Sequence, residues 1–419
     1  MSKIACVFSG QGSQYIGMGR WLYDNFETAK QIYEIANDVL NFDLIKMCFE
    51  GDEVELRKTE NSQPAILTTS VAMYEVFKEL YGIKPKIFAG HSLGEYSALT
   101  CSGVLNFKDA LKLVRARGTF MGEYSEGGTM AAIIGGDKSD IEDYCAKHNN
   151  EESILNVSNY NSEKQIVISG SESLVKNALN DLNKDGVSVK LLNVKGAFHS
   201  PMMSHAAELF KSEIDKYNFK KSEEIIISNV DARAYTDYID IKKKLVKQLV
   251  STVQWVDTMH LIAREEIDLV IEFGPKKTLR NFFKNTFKEL DAFSFDDEED
   301  RTKLKDRLLN DKEKIDDVVD FIDKVITVVA CTKNSNFDSD EYNTGVIKKC
   351  KEIRQIKNNI ISKNEIVDST TIEKLLKLLK DILDTKKVDK YEQKQRLEKL
   401  HKSVNNYSLF NVIKELSDL

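Results

Sequence analysis

The chain has 419 residues, of which 42% are hydrophobic and 30% charged, and its formal net charge is −7. That length and apolar content can bury a sizeable core, as one large domain with an appendage or as two to three ordinary domains. The mild acid excess argues against a general nucleic-acid surface, and an anionic substrate would need a local cation to hold it.

The opening run Ile4–Phe8 reads as a short buried strand. It is too short for the core of a signal peptide, and no apolar run approaches the roughly 20 residues that span a bilayer. The expected location is the cytoplasm, with no membrane partner. Further strands are expected at Lys86–Ala89, Thr129–Ile134, Gln165–Ser169, Val187–Val194, Glu224–Ser228 and Asp268–Phe273. Amphipathic stretches such as Gln63–Leu80 and Phe107–Gly122 lie between several of them. Such alternation argues for a parallel α/β sheet covered by helices. Residues from about 125 to 195 read as an inserted small α+β unit of strand, helix, strand, helix and strand.

The punctuation changes near residue 275. All 4 prolines and all but one of the 20 glycines lie at or before Pro275, and only Gly345 follows. Beyond about 310 the pattern is helical. Ile315, Val318, Val319, Ile322, Val325, Ile326 and Val329 follow a 3.6-residue period, as do Ile372, Leu375, Leu376, Leu379 and Ile382. Between them, Asn334–Asn343 is polar and reads as a loop. A main domain over 1–310 and a helical extension over 311–419 are therefore expected. Cys6, Cys48, Cys101, Cys145, Cys331 and Cys350 form no CxxC pair and none has metal-ligand spacing from a histidine, so they read as reduced, packed thiols and no metal is expected.

Gly90-His91-Ser92-Leu93-Gly94 follows the strand Lys86–Ala89, and a helix follows from Glu95. This strand–turn–helix context is what a GxSxG nucleophile elbow requires. The turn lifts the serine hydroxyl out of the sheet, the glycines remove clashing Cβ atoms, and the helix N-terminus favours negative charge at the serine. A serine needs a base. His148 and His401 lie in strongly polar stretches, His260 and His205 on expected helices, and His91 next to the serine, where it reads as support for the turn. His199 lies in a loop after the Val187–Val194 strand, where an α/β enzyme keeps its base.

Phe8-Ser9-Gly10-Gln11-Gly12-Ser13-Gln14, Thr59–Pro64, Gly90–Leu99, Arg115–Met121, Gly128–Gly135, Asn161–Gly170, Gly196–Ser200, Ser228-Asn229-Val230-Asp231, Val253-Gln254-Trp255 and Glu272-Phe273-Gly274-Pro275 occur in order. Together they resemble the malonyl-CoA:acyl carrier protein transacylases of fatty-acid synthesis and the related acyltransferases of polyketide synthesis. The likeness covers about residues 1 to 300. Ser9, Thr252 and Lys276 depart from it, standing where the family has proline, proline and glycine.

The resemblance implies an α/β-hydrolase-like core with an inserted ferredoxin-like subdomain, to which the helical C-terminal extension is added. It implies Ser92 as nucleophile, His199 as base, and Gln248 as the residue whose main-chain carbonyl orients the imidazole, its side chain mattering less. Gln11 and Leu93 match the backbone donors of the oxyanion hole. Arg117 matches the arginine that holds the malonyl carboxylate, and Phe198 the bulky residue of malonyl-selective members. Asn161, Asn229 and His91 fall near the pocket. The implied reaction carries malonyl from malonyl-CoA, through a malonyl-serine ester, to the phosphopantetheine thiol of an acyl carrier protein, with no resident cofactor. The extension has no counterpart in the minimal fatty-acid enzyme and could dock a synthase complex or cap the core. Two other readings use the same scaffold. An acyl hydrolase that clears stalled carrier proteins would favour loss of Arg117, and a non-catalytic binding protein would not need Ser92 and His199 intact.

Overall fold

The structure, a computed structural model, describes residues 3–150, 153–363 and 369–402. It divides into two compact units, Lys3–Arg301 and a second that begins at Thr302. The 34-residue helix Glu298–Cys331 contains the division. Residues 403–419, the end of the expected extension, lie outside the described residues.

Ten strands form among the described residues: β1 (Ile4–Phe8), β2 (Ile87–Gly90), β3 (Gly128–Ile134), β4 (Leu155–Ser162), β5 (Gln165–Ser171), β6 (Ser188–Leu191), β7 (Ile225–Ile227), β8 (Val253–Gln254), β9 (Leu269–Phe273) and β10 (Asp291–Ser294). Five of them make a sheet of order β10-β9-β1-β2-β7, and every pairing in it is parallel. A parallel sheet is covered on both faces, so its strands are continuous apolar runs; all of β1 is buried. On one face Ala5, Val7, Ile87, Ala89 and Ile227 pack with Trp255 and Phe283. On the other, the Phe8 ring lies 6.3 Å from that of Phe88 and 5.7 Å from that of Phe273, and Tyr74 of the helix Thr59–Tyr81 packs edge-on against them.

The chain leaves β1 to one side for β2 and β7, then returns to the other side for β9 and β10. The strand order thus reverses at β1, and in open α/β sheets the crevice at the carboxyl ends of such strands receives the ligand. The helix Thr59–Tyr81, which packs on the sheet through Tyr74, has Pro64 inside it. Proline cannot donate back to the carbonyl of Glu60. Arg115 Nη1 donates to that carbonyl instead, at 2.6 Å, so a break in one helix becomes its link to the helix Phe107–Glu123.

The second sheet has the order β6-β3-β5-β4-β8. Its first four strands, with helices Lys138–His148 and Glu172–Asp181, form a βαββαβ unit with antiparallel neighbours, the ferredoxin-like arrangement. The strand-helix-strand-helix-strand expectation missed β4. Its sequence, LNVSNYNS, lacks the β-branched run that marks a strand; Ser158 Oγ donates across the pairing to Val167 O of β5 at 3.1 Å. The two-residue β8 pairs with β4 and ties this sheet to the chain that follows. β6 is shorter than the Val187–Val194 expectation, and β10 carried no sequence signal.

The second unit has its own apolar core. Both periodic runs supply it, with Phe321, Ile322, Val325, Leu375, Leu379, Ile382 and Leu383 at its centre. The expected loop at Asn334–Asn343 is partly helical: Asp338 caps a short helix, Ser339–Tyr342, by accepting from the amides of Asp340 and Glu341, which satisfies otherwise orphaned donors. No helix among the described residues is long and apolar enough to cross a membrane.

Candidate active site

Ser92 sits between β2 and the helix Gly94–Cys101. Its φ is 52°, a left-handed conformation that a non-glycine residue holds only when its surroundings impose it. Here they do. The Ser92 amide donates to Asn229 Oδ1 at 2.6 Å, and Asn229 Nδ2 donates to Gly90 O at 2.6 Å. A Cβ on Gly90 would fall 1.9 Å from the Gly94 carbonyl carbon, and one on Gly94 would fall 2.0 Å from Phe8 O. Only glycine permits so close a crossing of strand and helix.

His199 lies in the loop after β6, also with positive φ, 58°. Its Nε2 is 2.7 Å from Ser92 Oγ, and its Nδ1 is 2.8 Å from Gln248 O. A carbonyl only accepts, so Nδ1 carries the proton and Nε2 presents a lone pair to the Ser92 hydroxyl. Burial first, and the nearby Arg117 charge second, lower the His199 pKa to about 3. The imidazole is therefore neutral, as a base must be before it acts.

Arg117, on the helix Phe107–Glu123, is fully buried. Its Nη1 donates to Gln63 Oε1 at 2.8 Å, and its Nη2 donates to Gln248 Oε1 at 2.9 Å and lies 3.4 Å from Ser92 Oγ. Its Nε has no partner. Burial pulls its pKa down and the neighbouring Tyr96 and Glu95 push it up. A buried guanidinium with an unused donor, next to a serine hydroxyl, has the charge and the donors to pair with a carboxylate.

The other expected residues take varied places. Gln11, which follows β1, accepts from Thr59 Oγ1 at 3.0 Å through its side chain. The amides of Gln11 and Leu93 donate to no protein acceptor among the described residues. Gln11 and Phe198 line a cavity of about 440 Å³ with Thr59, Arg57, Lys58 and Lys195. Gln11, His91 and Asn161 line a neighbouring one of about 480 Å³. His91 Nε2 and Asn161 Oδ1 are 2.7 Å apart, and burial lowers the His91 pKa. Asn229, by contrast, has both ends of its amide on the elbow backbone, so it holds the turn. Lys276, where the family has glycine, keeps a positive φ of 65°. Its Nζ donates to Gly12 O at 3.0 Å, tying down the loop that carries Gln11.

Sequence reasoning missed the wider use of Gln248, Gln63 and Glu95. The Gln248 side chain, expected to matter less than its carbonyl, donates to Ser92 O at 3.0 Å and accepts from Arg117. The available signal was weak: a glutamine on an amphipathic helix and an acid in the first turn of another carry no mark of burial in the sequence.

The acyl transferase domain family matches residues 5–322. A malonyl CoA-acyl carrier protein transacylase of Bacillus subtilis is 34% identical over 395 residues, covering 94% of this chain and 99% of the relative. This chain belongs to the malonyl-CoA:acyl carrier protein transacylase family. Another such transacylase, from Bacillus subtilis strain 168, is 42% identical over 302 residues, 71% of this chain and 95% of its own length. A solved complex of a type II polyketide-synthase acyl carrier protein with its malonyl-transacylase matches with a TM-score of 0.68 and 35% identity, covering 71% of this chain and 96% of that one.

Proposed function

We propose that this enzyme moves a malonyl group from malonyl-CoA to the phosphopantetheine thiol of an acyl carrier protein, with Ser92 as the nucleophile. The observation that carries the residue assignment is the 2.7 Å contact between Ser92 Oγ and His199 Nε2, made beside the buried Arg117. Ser92 Oγ attacks the thioester carbonyl while His199 Nε2 takes its proton. The C–S bond breaks, and His199 returns the proton to the departing thiolate of coenzyme A. The carrier thiol then attacks the malonyl-Ser92 ester by the same steps in reverse. The free amides of Gln11 and Leu93 receive the oxyanion in both halves.

Arg117 selects the acyl group. A malonyl carboxylate pairs with the guanidinium, whereas a neutral acyl group leaves a buried charge unmatched. The same argument disfavours a general acyl hydrolase. The acyl group arrives on coenzyme A and leaves on the carrier arm, so the reaction needs no resident cofactor. All six cysteines are free, which fits a reducing compartment such as the cytoplasm.

Intact-mass spectrometry after incubation with malonyl-CoA tests the assignment. The protein gains one malonyl group and transfers it to a holo carrier protein, and Ser92→Ala gains none. A variant that still became malonylated would move the nucleophile elsewhere.

A further inference from the structure

Glu95 is a fully buried carboxylate to which the proposed steps give no role. It lies three residues after Ser92, in the first turn of the helix Gly94–Cys101. Burying a carboxylate is costly unless donors converge on it, and here three residues donate, two from the turn after β7 and one from the helix Tyr238–Gln248. The Asn229 amide donates to Oε1 at 3.3 Å. The Tyr235 hydroxyl donates to the same oxygen. Gln248 Nε2 donates to Oε2.

The third bond couples Glu95 to the chemistry. The Gln248 amide has two ends: its NH₂ faces Glu95 and Ser92 O, and its Oε1 faces Arg117 Nη2. Reversing that amide would set an oxygen against the carboxylate and an NH₂ against the guanidinium, losing two charge-assisted bonds at once. The backbone of the same residue holds His199 Nδ1. We infer that Glu95 is a positioning residue: its carboxylate fixes the Gln248 amide, and through it the Arg117 guanidinium that meets the malonyl carboxylate and the segment whose carbonyl orients His199. This inference rests on the transferase reading above.

The carboxylate is also placed to make the site respond to pH. Burial raises its pKa to about 7, against the lowering effect of the Tyr235, Gln248 and Asn229 bonds and of Arg117. The titratable and charged groups around it are Arg117, Tyr235 and Tyr96, with Lys244 over the Tyr235 ring at 5.4 Å and His199 beyond Gln248. His199, at about 3, stays neutral throughout this range. As pH falls through about 7, Glu95 gains a proton, one of the two charge-assisted bonds that fix the Gln248 amide is lost, and the clamp on Arg117 loosens.

The test compares the wild type, Glu95→Gln and Tyr235→Phe, with malonyl-CoA and acetyl-CoA, across a pH range bracketing about 7. In the wild type, kcat/KM for malonyl-CoA falls on the acid side. Glu95→Gln, which keeps the shape but not the charge, loses that limb. Its alkaline plateau drops by about 10- to 100-fold, and its malonyl-over-acetyl preference narrows. Tyr235→Phe keeps the carboxylate but removes a bond that favours ionisation, so the limb moves to higher pH. If Glu95→Gln does not fold, Tyr235→Phe carries the test alone, and an unmoved limb overturns the inference. Superposable pH profiles and equal acyl preference for Glu95→Gln and wild type overturn it as well, while malonyl-Ser92 still forms. Failure of the wild type to form malonyl-Ser92 sinks the transferase reading itself.

Discussion

Both units of the chain have apolar cores, and they differ in the polar residues they bury. Lys3–Arg301 encloses Glu95, Arg117, His199, Asn229 and Gln248, five polar or charged side chains linked by hydrogen bonds around one serine. Thr302 onward encloses an apolar cluster. Of the two buried charges among its described residues, Asp311 pairs with Arg307, and Lys386 donates to Val329 O at 2.6 Å and Thr332 O at 2.8 Å. Those are carbonyls at the end of the helix Glu298–Cys331, where a cation is favoured by the helix dipole and by the unpaired acceptors. In the first unit these five groups converge on Ser92; in the second, Lys386 closes a helix end. The relatives divide in the same way. One matches 94% of this chain, while another uses 95% of its own length on 71% of it. The second relative thus lacks a counterpart to most of the extension, and we propose that in this chain the extension is an appendage that the acyl transfer does not need.

That contrast can be broken at either unit. The largest effect is expected at His199. His199→Ala leaves Ser92 without a base, so acyl-enzyme formation measured by rapid quench should slow on the order of 10²- to 10⁴-fold. A rate near that of the wild type would mean that the 2.7 Å contact is not the proton path. Arg117→Ala should act on preference more than on chemistry. Loss of a charge-assisted pair should cut kcat/KM for malonyl-CoA about 10- to 100-fold, with acetyl-CoA tolerated better. An unchanged ratio of the two substrates would place the carboxylate seat elsewhere. Removing residues after 310 should change self-malonylation little. An inactive but soluble truncation would contradict the appendage reading.

The parallel sheet and the elbow were legible because their signals are local. β1 is an unbroken apolar run, and the glycines on either side of Ser92 are forced because a Cβ there would fall about 2 Å from neighbouring backbone atoms. The periodic apolar runs of the extension were legible for the same reason. β4 was not, because its pairing partners β5 and β8, rather than its own residues, make it a strand. The second role of Gln248 and the burial of Glu95 were hidden because both depend on segments more than 100 residues apart meeting at Ser92. A buried acid and a surface acid look alike in one sequence. Lys276 was legible only as a departure from the family, and the structure adds that it retains the positive φ a glycine would take.

The smallest effect on activity, and the sharpest on the comparison, is expected from Leu379→Ala. Leu379 is fully buried in the cluster formed by the residues from Ile315 onward. Truncation there leaves a cavity, and such substitutions cost about 2–5 kcal/mol of the stability of the unit that contains them. Every residue assigned to the reaction, from Gln11 to Gln248, lies in the other unit. If the units are energetically separate, thermal unfolding of Leu379→Ala should split into two transitions, with only the bundle's shifted downward. The rate of Ser92 malonylation below that first transition should then equal that of the wild type. A single transition lowered as a whole, with a parallel loss of malonylation, would show that the core depends on the bundle for its own stability. The extension would then be part of the catalytic fold.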